Sequence, residues 1–187
     1  GTNDKGQLGD GTTSGRPTPV AGGGGLTFTR LAAGSYHNCG LGSDGVAYCW
    51  GYNYYGSLGD GSSTDRTSPV AVAGGLAFAQ LSAFEHPSGL TTVGVAYCWG
   101  WNSAGRLGDG TTTSRASPVA VSGGLTFTQI DAGYVHTCAL TSSGVAHCWG
   151  MNRDGALGDD STVDRHSPAA VSGGLTFAQL TAGAMHT

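Results

Sequence analysis

The chain has 187 residues, of which 35 are glycine and only 11% are charged, and its formal net charge is −4. Such a chain offers no basic surface to neutralise phosphates, so nucleic acid is excluded as a partner on electrostatic grounds. No apolar run approaches the roughly 18–20 residues a membrane-crossing helix needs, so membrane insertion is not expected either. Short Val, Ala, Leu, Tyr and Trp runs, divided by Gly, Ser, Thr, Asp and Pro clusters, predict an all-β fold.

From the N-terminus onward the elements repeat. The opening "GTNDKGQLGDG" returns, with a front now attached, as "AYCWGYNYYGSLGDG" at 47–61, "AYCWGWNSAGRLGDG" at 96–110 and "AHCWGMNRDGALGDD" at 146–160. Tryptophans at 50, 99 and 149 set a period of 49 or 50. After each block come an Arg, a Pro and a Gly-Leu-x-Phe run, and the units close on "LAAGSYHNCGL", "LSAFEHPSGL", "IDAGYVHTCAL" and "LTAGAMHT". The units are 1–41, 45–90, 94–140 and 144–187, the first lacking its front and the last its final hairpin. The chain thus opens and closes in mid-pattern, and both ends are expected to be cut from something longer. A period near 50 with four short strands per unit predicts β-propeller blades, about four in this one partial domain. In the third unit the strands are expected near 126–132, 136–141, 145–149 and 118–121. Unpaired blade edges at the ends are expected to promote self-association.

The cysteines come in pairs ten residues apart, Cys39 with Cys49 and Cys138 with Cys148, around "SDG" and "SSG". A three-residue hairpin loop with Gly in the left-handed position fits both. Counting outward from Thr141 opposite Val145 then sets Cys138 against Cys148, and the same count sets Cys39 against Cys49. Directly opposed strand residues lie near disulfide range. A zinc site would want a tight Cys-x-x-Cys spacing, which is missing, and a redox pair would want that motif with basic neighbours. Disulfides imply an oxidising compartment and so an exported protein, extracellular or at the cell surface; free thiols would instead suit the cytoplasm. The second unit departs from the pattern: Ser88 replaces the first cysteine, Cys98 is left alone, and Pro87 removes a backbone donor. Either that strand is distorted, or Cys98 is simply a small buried hydrophobe.

Three further residue types recur. His37, His86, His136 and His186 could ring a metal, but a residue present in every unit more simply serves the unit, as a buried hydrogen bond at a strand end. Asp60, Asp109 and Asp159 sit in "L-G-D" loops that supply too few oxygens for calcium; turn chemistry and a pairing such as Asp60 with Arg66 are expected instead. Trp50, Trp99 and Trp149 are expected to pack between blades. No metal and no cofactor is expected, no nucleophile elbow or paired carboxylate stands out, and so no enzyme is expected.

If recurring residues build the blade, recognition belongs where units differ. One set flanks the Asn of "W-G-x-N": Thr2, Asp4 and Lys5 in the first unit, then Tyr52, Tyr54 and Tyr55, then Trp101, Ser103 and Ala104, then Met151, Arg153 and Asp154. The other precedes the recurring His: Tyr36, Glu85 and Tyr134 among them. Equivalent positions in a propeller share radius and height, so each set should form an arc on one face. Exposed aromatics rimmed by polar groups mark recognition surfaces, or else merely cover loops.

The run "G-V-A-Y-C-W-G-x-N-x-x-G-x-L-G-D-G", then "P-V", then "A-G-x-x-H-T-C-A-L" resembles the regulator of chromosome condensation repeat family, in its bacterial, cysteine-containing branch. The likeness covers the whole chain in four copies. It implies a seven-bladed propeller of which this chain is a little over half, or a four-repeat chain that pairs with a second copy. It implies a non-catalytic binding or scaffold module for a protein, or a glycan, recognised through loops on one face. The alternative it carries is guanine-nucleotide exchange on a small GTPase, by analogy with the family's founder alone.

Overall fold

The computed structural model describes residues 1–187. Its twelve strands are β1 (Phe28–Ala33), β2 (His37–Gly42), β3 (Ala47–Gly51), β4 (Arg66–Ala71), β5 (Phe78–Ala83), β6 (Pro87–Thr91), β7 (Ala96–Gly100), β8 (Arg115–Ala120), β9 (Gln129–Ala132), β10 (His136–Leu140), β11 (Ala146–Gly150) and β12 (Arg165–Ala170). They form three antiparallel sheets in the orders β1-β2-β3-β4, β5-β6-β7-β8 and β9-β10-β11-β12. The only helices are two three-residue 3-10 turns, so none is long and apolar enough to cross a membrane.

The hairpins follow the loop-and-register count. Thr141 N donates to Val145 O at 3.0 Å, Gly144 takes φ of 79°, and Cys138 opposes Cys148. Cys39 opposes Cys49 in the same way. The phase of the blades differs from expectation. The segment at 118–121 does not share a sheet with 126–132, 136–141 and 145–149; within β8 it pairs with β7 and closes the preceding blade. Blade three is closed by β12, contributed by the fourth unit. Every blade therefore takes its first two strands from one repeat and its last two from the next, and four units yield three complete blades. The physical reason is antiparallel economy: after β7 the chain needs only one loop to return along its outer edge, while reaching β9 would mean crossing to the next sheet.

The apolar residues lie between the blades. Leu58, Phe78 and Trp99 join Cys39, Leu41 and Cys49 between blades one and two. Leu107, Phe127, Ile130 and Trp149 fill the corresponding space between blades two and three. Each inter-blade tryptophan packs against a loop glycine: a Cβ on Gly108, whose φ is +69°, would stand 2.6 Å from Trp149 Nε1. Trp99 also donates to Ser57 O at 3.1 Å. Burying an indole of this kind contributes several kcal/mol, which is how neighbouring blades are held face to face.

Candidate binding face

The loops carrying the variable residues are built on a buried asparagine. Asn53 Nδ2 donates to Asp60 Oδ1 at 3.2 Å, Ser62 O at 3.2 Å and Thr64 O at 3.0 Å, while its Oδ1 accepts from Leu58 N at 2.8 Å. Asn3, Asn102 and Asn152 repeat the pattern, and all four are at most 1% exposed. One primary amide supplies two donors and an acceptor, which is the set this loop needs. Burial works to raise the Asp60 carboxyl, but hydrogen bonds from Ser62 and Arg66 outweigh it and hold the group below the usual carboxylate range. Arg66 Nη2 lies 2.7 Å from Asp60 Oδ2, and Asp10–Arg16, Asp109–Arg115 and Asp159–Arg165 are equivalent pairs. The signal for this role in the sequence is the recurrence of the asparagine at 3, 53, 102 and 152.

These fixed loops hold the residues on either side of the asparagine at the surface, and there the rings meet. Tyr36 lies edge-on to Tyr52 with centroids 6.2 Å apart, and Tyr52 stacks with Tyr54 at 6.3 Å. Tyr54 meets Tyr55 edge-on at 4.9 Å, and Tyr55 stacks on Trp101 at 5.2 Å. Five rings from blades one and two therefore form a continuous strip. Tyr54 is 65% exposed, Tyr36 55% and Tyr55 40%.

Cations sit at both ends of the strip. The Arg106 guanidinium lies 4.1 Å from the Trp101 ring centroid. It donates from Nε to Ser103 O and from Nη1 to Tyr134 O at 2.8 Å, so it ties the Trp101 loop to blade three. Burial pushes its pKa down to about 10, with the charge of Glu85 opposing that fall. Tyr134 in turn lies edge-on to Phe84 at 5.8 Å. At the other end Lys5 Nζ stands 5.4 Å from the Tyr52 centroid and 3.7 Å from Asp65 Oδ2. Met151 and Arg153 occupy the next loop, where no ring contact joins them to the strip. Arg106 and Asp65 were not among the expected site residues. Arg106 stands where the other units carry Gln7, Ser57 and Ala156, so variation between repeats could have singled it out.

The remaining recurring residues lie inside. His86 Nε2 is hydrogen-bonded to Thr137 Oγ1 of the next blade at 2.6 Å, and His136 Nε2 to Thr187 Oγ1 at 2.9 Å. His37 has no such partner, because Pro87 occupies the position equivalent to Thr137. Burial lowers the pKa of His37 to about 4, and burial together with the charge of His186 does the same for His136. His186 is exposed. No three His, Cys, Asp or Glu side chains converge on a point that would hold a metal ion. Cys39–Cys49 and Cys138–Cys148 are disulfide-bonded, and Cys98 is a free, buried thiol facing Ser88. Pro87 shortens the pairing of β6 with β7, which starts at Ser88 rather than at the preceding histidine, yet the register is kept.

Residues 1–41, 44–83, 94–140 and 143–187 match the model of the Regulator of chromosome condensation (RCC1) repeat. Among solved structures, Prp20p from Saccharomyces cerevisiae, described with its binding properties to Gsp1p and histones, superposes with a TM-score of 0.73 at 20% identity over 84% of this chain and 42% of that one. Human WBSCR16 superposes at 0.69 with 16% identity, covering 97% of this chain and 64% of that one. The ectodomain of the Physcomitrella patens receptor kinase CR4 gives 0.55 at 23% identity, over 88% and 36% of the two chains. The chain thus spans less than two thirds of each of these proteins, and at these identities the likeness is one of fold. No curated protein sequence matches the chain.

Proposed function

Because the chain belongs to the regulator of chromosome condensation repeat family, we propose that it is a non-catalytic binding module that recognises a protein through its aromatic strip. The observation that carries this reading is the unbroken, largely exposed contact series from Tyr36 through Tyr52, Tyr54 and Tyr55 to Trp101. Tyr, Trp and Arg are the residues that most often dominate binding energy at protein interfaces. The asparagine-centred loops order these rings before any partner arrives, which lowers the entropy lost on association. The protein binding described for Prp20p is consistent with a protein partner. The two disulfides support an exported protein, since such bonds persist in oxidising compartments.

The test is partner binding by single alanine variants of Tyr54, Tyr55 and Trp101, with circular dichroism as a check on folding. An interface anchor of this kind costs about 2 kcal/mol or more on truncation, or roughly 30-fold in affinity. Retention of affinity within about threefold in all three variants would discard the reading. Loss of binding to an arrayed glycan, with no protein partner affected, would replace the protein by a sugar.

A further inference from the structure

Lys5 is the only lysine in the chain, and its charge lies against the aromatic strip. Lys5 Nζ faces the Tyr52 ring at 5.4 Å and Asp65 Oδ2 at 3.7 Å. That is the arrangement in which a ring face and a carboxylate hold a cation together. The hold is weak. Both side chains are about two-fifths exposed, and exposed pairs of this kind rarely contribute more than about 1 kcal/mol. Asp65, by contrast, does not depend on Lys5 for its place, because its Oδ1 accepts from Asn53 N at 2.8 Å. Arg106 is spent on two carbonyls and the Trp101 ring. If Lys5 swings out, the surface left behind is ring faces beside the Asp65 carboxylate, which is complementary to a cation.

We propose that this strip takes an arginine or lysine side chain of the partner protein, at the seat between Tyr52 and Asp65 that Lys5 now fills. This deepens the binding reading above and rests on it. Lys5 acts as an internal stand-in: it keeps the seat ordered in the free protein and yields it at small cost.

The experiment titrates the full chain with capped tetra-arginine, tetra-lysine and tetra-glutamate peptides at low ionic strength. The readout is tryptophan fluorescence, since Trp101 is the one indole that is not buried. The cationic peptides should bind and tetra-glutamate should not. Lys5→Ala should tighten cationic binding about two- to fivefold, and Asp65→Asn should weaken it by a similar factor. Arg30→Ala, which removes an exposed cation on β1, should change nothing. Equal tightening by Lys5→Ala and Arg30→Ala would reduce the effect to bulk charge and overturn the proposal, as would binding of tetra-glutamate. If Tyr54→Ala and Tyr55→Ala abolish binding while Lys5 and Asp65 prove irrelevant, the aromatic face stands and the cation seat falls. Indifference to both sets of variants would remove both.

Discussion

The middle blade offers the sharpest quantitative test. Ser88 and Cys98 are opposed in register as Cys39 and Cys49 are, both are fully buried, and Ser88 Oγ has no hydrogen-bond partner. Ser88→Cys should therefore close a third disulfide without moving the backbone. Taking a closed loop of about ten residues, the chain-entropy relation gives about 2.7 kcal/mol of stabilisation. Removing an unsatisfied buried hydroxyl adds to this, and any strain near Pro87 subtracts. At about 2–4 °C per kcal/mol for a domain of this size, the midpoint should rise by about 5–11 °C. Thiol titration of the unfolded protein should find one free thiol in the parent chain and none in the variant. Ser88→Ala separates the contributions, since it gains only from the lost hydroxyl. Two free thiols in the oxidised variant, or a midpoint lower than that of Ser88→Ala, would show that Pro87 has carried β6 away from β7 and would refute the register argument.

Acid should weaken the fold before the carboxylates titrate. His37 and His136 are neutral down to about pH 4 when folded but protonate near 6.5 when unfolded. The unfolded chain thus binds more protons in that window, so stability is full above pH 6.5 and is lost as pH falls towards 4, by at most about 3 kcal/mol per histidine. Urea midpoints at pH 7.5, 5.5 and 4.0 should fall in that order, and a flat profile would contradict the burial. Asn102→Ala should cost at least about 3 kcal/mol by urea denaturation, because Asp109, Thr111, Thr113 and Leu107 all lose a buried partner. Ala104 sits at φ of 61° beside Arg106, and Ala104→Gly should raise the midpoint modestly, by up to about 1 kcal/mol, by relieving a left-handed alanine. An unchanged or lowered midpoint would show that the loop is not strained there.

The sequence carried the period, the hairpins and the cysteine register because each of these is local. A three-residue loop ending in Gly144 determines which residues face each other for the next five positions, whatever the rest of the chain does. The blade phase was not legible in the same way. The segment at 118–121 has the same strand character whichever sheet it joins, and only the geometry of the return from β7 assigns it to blade two. Among the variable positions, Tyr36, Tyr52, Tyr54, Tyr55 and Trp101 bring their rings into one contact series, whereas Met151 and Arg153 make no ring contact with it.

Repeat length, all-β class, hairpin register and the identity of the variable loops follow from the amino-acid order alone, since they depend on spacings of ten residues or fewer, or on a spacing that recurs. Contacts between repeats depend instead on how far one blade is rotated from the next. That rotation is set by Trp99 and Trp149 wedged between sheets. Only the tertiary structure could therefore bring Arg106 onto Trp101 and the Tyr134 carbonyl, leave His37 Nε2 buried without a hydrogen-bond partner, and set Lys5 against a tyrosine and an aspartate from a different repeat.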